Sequence, residues 1–149
     1  MSPDPSLDSN APTGLPRVLF LCIGNSCRSP MGEGWLRHLA GDRFESTSAG
    51  IRPIGVHPLA IRVMEEVGVD LSGQDSSFIH HKLQPPPAKI IALSKFALKN
   101  CPPLPRETEV LRWFIPDPYE VKGDLEKKLR AFRGARDELR ERLGDWLNL

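Results

Sequence analysis

The feature that most constrains this chain is a short apolar run, Arg17-Val-Leu-Phe-Leu-Cys22, that passes through Ile23-Gly-Asn-Ser-Cys-Arg28 into Ser29-Pro30-Met-Gly-Glu-Gly-Trp-Leu-Arg-His-Leu-Ala40. The first segment has the composition of a buried strand, and the last has the proline-first signature of a helix start. The intervening loop therefore lies between a strand's carboxyl end and a helix's amino end. Backbone N–H groups there lack intrahelical partners and the helix dipole is positive, so the loop favours a bound anion. Gly24 has no Cβ and Asn25 tolerates positive φ, which lets Ile23, Gly24, Asn25, Ser26, Cys27 and Arg28 turn their N–H groups inward as a nest.

Two side chains give this nest its chemistry. Arg28 offers a planar, permanently charged fork that can hold two oxygens of a tetrahedral oxyanion at once. Cys22 lies at a helix amino end beside that cation, a setting that favours thiolate over thiol, so it is expected to be a nucleophile. The plainer alternative is a buried cysteine closing a strand. Ser29 either donates a hydrogen bond to the thiolate or caps the helix, and the sequence leaves both open.

The rest of the chain continues the alternation of strand and helix. Arg43–Ser48 is expected to be a second strand closed by Ala49-Gly50. Pro58 begins a helix with Ala60, Val63, Met64 and Val67 on one face and Gly68 at its end. Ala88–Leu93 and Glu109–Phe114 are the third and fourth strands. A last helix from Asp124 is expected to bury Leu125, Leu129, Phe132, Leu139, Leu143 and Trp146. This order predicts a doubly covered parallel α/β sheet, which binds ligands beyond the carboxyl ends of its strands. Residues 1–16, rich in proline, serine and aspartate, are expected to form a disordered leader, leaving 17–149 as one catalytic domain.

Composition excludes several classes of function. With 20 basic and 19 acidic side chains, the net charge of +1 gives no global field for nucleic acid or membrane. The charges of the last helix alternate in sign, as on a solvated face. No run approaches the roughly 20 apolar residues that span a bilayer. Three cysteines, one needed as a thiolate, suit a reducing cytoplasm rather than a disulfide scaffold. No Cys/His spacing matches a metal site, and His80-His81 is expected in a surface loop.

Cys22-Ile-Gly-Asn-Ser-Cys-Arg-Ser-Pro30 resembles the phosphate-binding loop of the low-molecular-weight protein tyrosine phosphatases and of their relatives, the thiol-dependent arsenate reductases. The likeness continues through Ser48-Ala-Gly-Ile51, His57–Gln74 and Asp117-Pro-Tyr119. It implies a four-stranded parallel sheet of order 2-1-3-4 with helices on both faces. It also implies a catalytic set of Cys22, Arg28, Ser29 and Asp117, with Asp117 protonating a leaving group and then activating water. Tyr119 would wall the substrate entrance. The phosphatases usually carry a second tyrosine beside it; here Glu120 stands there and disfavours a negatively charged phosphopeptide.

Thioredoxin-coupled reductases of this group use two further cysteines to release arsenite. The resemblance aligns Cys101 with the third thiol, but Ser94 occupies the place of the second, so that relay is broken. Either Cys101 resolves Cys22 directly, which requires their Cα atoms to come within about 7 Å, or an external thiol does so: thioredoxin, glutathione with glutaredoxin, or mycothiol. Cys27 is either a reversible redox guard for Cys22 or a buried packing residue. No bound cofactor is expected, and the chain is expected to act as a monomer. The leading expectation is an arsenate-reductase-like enzyme. The alternatives are a phosphatase acting through a phosphocysteine and a non-catalytic oxyanion-binding protein.

Overall fold

A computed structural model describes residues 14–149. Of the expected leader, residues 1–13 lie outside the described residues. At its end the Pro16 carbonyl receives the Glu45 N–H at 3.0 Å, which fixes the approach to the first strand.

Four strands, β1 (Arg17–Cys22), β2 (Glu45–Gly50), β3 (Lys89–Ala92) and β4 (Glu109–Arg112), form a parallel sheet of order β2-β1-β3-β4. The expected 2-1-3-4 order is thus the observed one. All of β1 is buried because it pairs on both sides and is covered on both faces. Alternation divides its side chains between two cores. Val18 and Phe20 face α1 (Arg28–Ala40), α2 (Pro58–Glu65) and α4 (Leu125–Leu147). Leu19 and Leu21 face the opposite layer, built by α3 (Lys95–Asn100) and a 3-10 turn at Ile79–Lys82.

Several boundaries differ from those expected. The second strand starts at Glu45 and runs through Ala49 and Gly50, because these two continue to pair with Leu21 and Cys22. A Cβ at Gly50 would lie 2.6 Å from the Ile23 carbonyl oxygen and 2.7 Å from the Asn25 nitrogen, so only glycine lets the loop pass this close. The third and fourth strands are shorter than expected, ending at Ala92 and Arg112. Helix α2 ends at Glu65, so Val67 lies beyond it. Leu125, in the first turn of α4, is 52% exposed rather than buried, and Trp146 is only half-buried. Helix α3 was not anticipated: with six residues it has no room for a periodic apolar stripe. His80 and His81 belong to the 3-10 turn and are exposed, as on a surface.

Candidate active site

The loop from Cys22 to Arg28 leaves β1 at the middle of the sheet, where strands on both sides end. Asn25 takes φ of 45°, the left-handed turn that closes the nest. The returning chain after β2 fastens the loop from outside. The N–H groups of Ile51 and Arg52 both donate to the Ile23 carbonyl, that of Ile54 donates to Gly24, and that of His57 to Ser26.

Cys22 is 2% exposed, and its Sγ lies 2.8 Å from Ser29 Oγ. Asn25 Nδ2 donates to the same Ser29 oxygen at 2.8 Å and to Ser48 Oγ at 2.9 Å. The Ser29 oxygen accepts from Asn25 and keeps its own hydroxyl proton, which can be donated to Cys22 when the sulfur is a thiolate. The helix begins at Arg28 with Cys27 at the cap position, so Ser29 is not the capping residue. Ser48 passes the chain onward by donating to Glu33 Oε1 at 2.5 Å. Burial pushes the Glu33 carboxyl above its ordinary range, against the lowering effect of Ser48. Neither Ser48 nor Glu33 was assigned a role from the sequence, although Ser48 begins the resembling Ser48-Ala-Gly-Ile51 segment and Glu33 lies in the resembling helix start; their contact joins segments far apart in the chain.

Arg28 is 5% exposed and held at three points. Its Nη1 donates to the Leu93 carbonyl at 3.2 Å and the Ile115 carbonyl at 2.9 Å, just beyond β3 and β4. Its Nη2 lies 3.3 Å from Asp117 Oδ2. Among the described residues, the buried Nε has no hydrogen-bond partner, which leaves a charged donor available at the nest. Asp117 caps a 3-10 turn over Pro118–Glu120, its Oδ1 receiving the Tyr119 N–H at 3.0 Å. Cys22, Ile23, Gly24, Ser26, Cys27 and Arg28 share a single cleft of about 180 Å³ with Asp117. Arg52, Ile54, Tyr119 and Glu120 form its rim.

His57, also unforeseen, ties the two sides of the cleft together. Its Nδ1 accepts from Leu59 N–H at the start of α2, while its ring meets Tyr119 edge-on at 5.8 Å and leans on Phe132 at 4.9 Å. Burial and the nearby Lys128 lower the His57 pKa, opposed by Asp117.

The other two cysteines are placed quite differently. Cys27 lines the cleft yet packs into the main core, and burial pushes its thiol up to about 12. Cys101 follows α3 on the opposite layer of the sheet; it packs against the second core, donates to the Leu98 carbonyl at 3.3 Å, and is not a cleft residue. Burial raises its pKa too. Ser94 caps α3, its Oγ accepting from Ala97 N–H at 3.1 Å. Among the described residues, no group of three or more His, Cys, Asp or Glu side chains could hold a metal ion, and no helix is long and apolar enough to cross a membrane.

A parallel sheet with a cysteine-to-arginine oxyanion nest at its carboxyl edge, overhung by an aspartate, defines an enzyme class that works by cysteine attack on tetrahedral oxyanions. The chain belongs to the family described as low molecular weight phosphotyrosine protein phosphatase, which it matches over residues 17–149. Among curated relatives, the arsenate reductase of Halalkalibacterium halodurans is 40% identical over 126 residues, covering 85% of this chain and 91% of the relative. A solved arsenate reductase in the phosphate binding state superposes with a TM-score of 0.73 at 33% identity, over 90% of this chain and 98% of the other. Vibrio vulnificus Wzb in complex with benzylphosphonate gives 0.72 at 27% identity, over 91% and 99%.

Proposed function

We propose that this protein is an arsenate reductase whose only reacting thiol is Cys22 and whose electrons come from an external thiol. What carries the choice of arsenate is the 40% identity with an arsenate reductase, spread across 126 residues rather than confined to the loop. The site geometry supports the chemistry. Arsenate seats in the nest with its oxygens on the loop N–H groups and on Arg28, whose Nε has no other partner among the described residues. Ser29 Oγ lies 2.8 Å from Cys22 Sγ, within reach to donate a hydrogen bond to the attacking sulfur. Cys22 Sγ attacks arsenic, forming an S–As bond as an As–OH bond breaks; the departing hydroxyl takes one proton from Asp117 in its acid form and leaves as water.

The second step separates this chain from a three-thiol relay. Burial holds the Cys27 thiol pKa up, Cys101 lies outside the cleft, and Ser94 serves as a helix cap. A thiol entering by the rim, from the side of arsenic facing away from Cys22, gives its proton to Asp117 and forms a new S–As bond as the Cys22–As bond breaks. The electron pair of the broken bond returns to Cys22. A second thiol molecule attacks the first one's sulfur and yields its proton to an oxygen of the departing arsenite. The S–As pair then stays on arsenic, reducing As(V) to As(III), and the two thiols leave as a disulfide. A reducing cytoplasm supplies such thiols and suits a monomeric enzyme without a bound cofactor.

The overhanging Asp117 and the exposed Tyr119 favour one further reading, hydrolysis of an aryl phosphate, in which water takes the place of the entering thiol. A paired assay on one preparation decides between them: arsenite formation with mercaptoethanol, glutathione plus glutaredoxin, mycothiol and thioredoxin systems, alongside hydrolysis of an aryl phosphate. Arsenite formation abolished by Cys22→Ser is the expected result. Aryl phosphate cleavage with no arsenate turnover by any donor overturns the reductase function in favour of the phosphatase.

A further inference from the structure

The rim of the cleft carries two opposite charges that the protein leaves unused. Arg52 is tied to the loop through its backbone N–H on the Ile23 carbonyl, 2.9 Å away, and its guanidinium is held over the Phe96 ring, 5.5 Å from the centroid. This cation–π contact fixes the side chain without consuming its hydrogen-bond donors. Among the described residues Arg52 has no carboxylate partner. Glu120 ends the 3-10 turn begun by Asp117, borders the same cleft, and has no cationic partner among the described residues. Ile54 and Tyr119, 61% and 54% exposed, line the same cleft and offer apolar surface to a short aliphatic stem.

Arsenate itself does not need these groups, because it is held lower down by the nest and Arg28. Whatever enters after arsenate has been captured must pass them. We propose that Arg52 and Glu120 select the reducing co-substrate: Arg52 binds its carboxylate and Glu120 its ammonium, so the thiol is a small zwitterion of the amino-acid or short-peptide kind. This inference rests on the arsenate reductase function above. It assigns Arg52 and Glu120 to recognition of the thiol, leaving Cys22, Arg28, Ser29 and Asp117 to the chemistry. A guanidinium can take a carboxylate in a bidentate fork, and the shared cleft places both charges within reach of one molecule.

The test is a charge series of thiols given to the full-length enzyme with saturating arsenate: cysteine, 3-mercaptopropionate, cysteamine and 2-mercaptoethanol. Arsenite formation is read as kcat/KM for each thiol, for wild type, Arg52→Gln and Glu120→Gln. Dividing each variant by wild type for the same thiol cancels the intrinsic reactivities of the four sulfurs. Relative to 2-mercaptoethanol, Arg52→Gln is expected to lower the values for cysteine and 3-mercaptopropionate by about three- to tenfold, the range for one partly screened charged hydrogen bond. Glu120→Gln should instead lower cysteine and cysteamine. Added salt should erode the same preferences. Variant-to-wild-type ratios that are equal across the four thiols overturn the inference while leaving the reductase function standing. Turnover by thioredoxin but by none of the small thiols overturns it as well, since the donor is then a protein. Absence of arsenite with every donor overturns the reductase function and this inference with it.

Discussion

Arg28 answers to two claimants in the unliganded site. Two carbonyls hold one nitrogen, Asp117 pairs with another, and Nε has no partner among the described residues. An arriving oxyanion therefore competes with Asp117 for the guanidinium and meets its negative charge. Asp117→Asn should tighten inorganic phosphate binding, read as the inhibition constant against an aryl phosphate, by about two- to tenfold. The same variant should slow hydrolysis of that ester by about 10²–10⁴ through loss of the proton donor. Weaker phosphate binding in Asp117→Asn would contradict the competition. At this scale the sequence was most legible at Cys22 and Arg28, a thiol and a guanidinium in one short loop, whereas the Asp117 carboxylate, far along the chain, was joined to them by the resemblance. It was least legible for Ser29 and Cys27, whose roles depend on which neighbour their polar atoms face. Asn25 Nδ2 reaches the Ser29 oxygen within one loop, but its second bond, to Ser48, and the apolar walls around Cys27 join distant segments.

Helix α3 owes its start to a serine. Without Ser94 Oγ the Ala97 N–H would be buried and unsatisfied, so Ser94→Ala should destabilise the fold by about 0.5–2 kcal/mol. Chemical denaturation with unchanged m-value would measure it; a variant as stable as wild type would show that the cap contributes nothing. The serine that interrupts the resembled relay thus has a structural task of its own, one residue after the carbonyl that holds Arg28. Helices α2 and α4 are joined at Glu66, which takes a two-bond contact from Arg133 and another bond from Arg136. Hydrogen bonding from Arg133 holds the Glu66 pKa down from 4.5 to about 2. A depressed carboxylate stabilises the fold above its unfolded pKa, and that contribution disappears as pH falls through the folded value. The Tm deficit of Glu66→Gln should therefore be full above pH 4.5 and vanish toward pH about 2. A deficit independent of pH would assign the effect to packing instead. The contact screened by solvent at this exposed site will be small.

At the scale of the whole molecule, alternating apolar strands and amphipathic helices define the layers, while the order 2-1-3-4 came from resemblance, because pairing between distant strands leaves no mark in either one. The two layers also keep the thiols apart. Cys27 packs in the core under α1, α2 and α4 and Cys22 lines the cleft, whereas Cys101 packs with Leu19, Leu21 and Ile90 on the α3 side. Cys101 is not among the residues that line the cleft, whereas an external thiol enters the cleft itself. The most direct measurement is the rate of arsenite formation by Cys101→Ser supplied with cysteine or glutathione. A kcat/KM within about twofold of wild type is predicted, as for a residue outside the reaction. A loss of about tenfold or more, with arsenate still captured on Cys22, would show that Cys101 takes part in reduction and contradict the single-thiol mechanism.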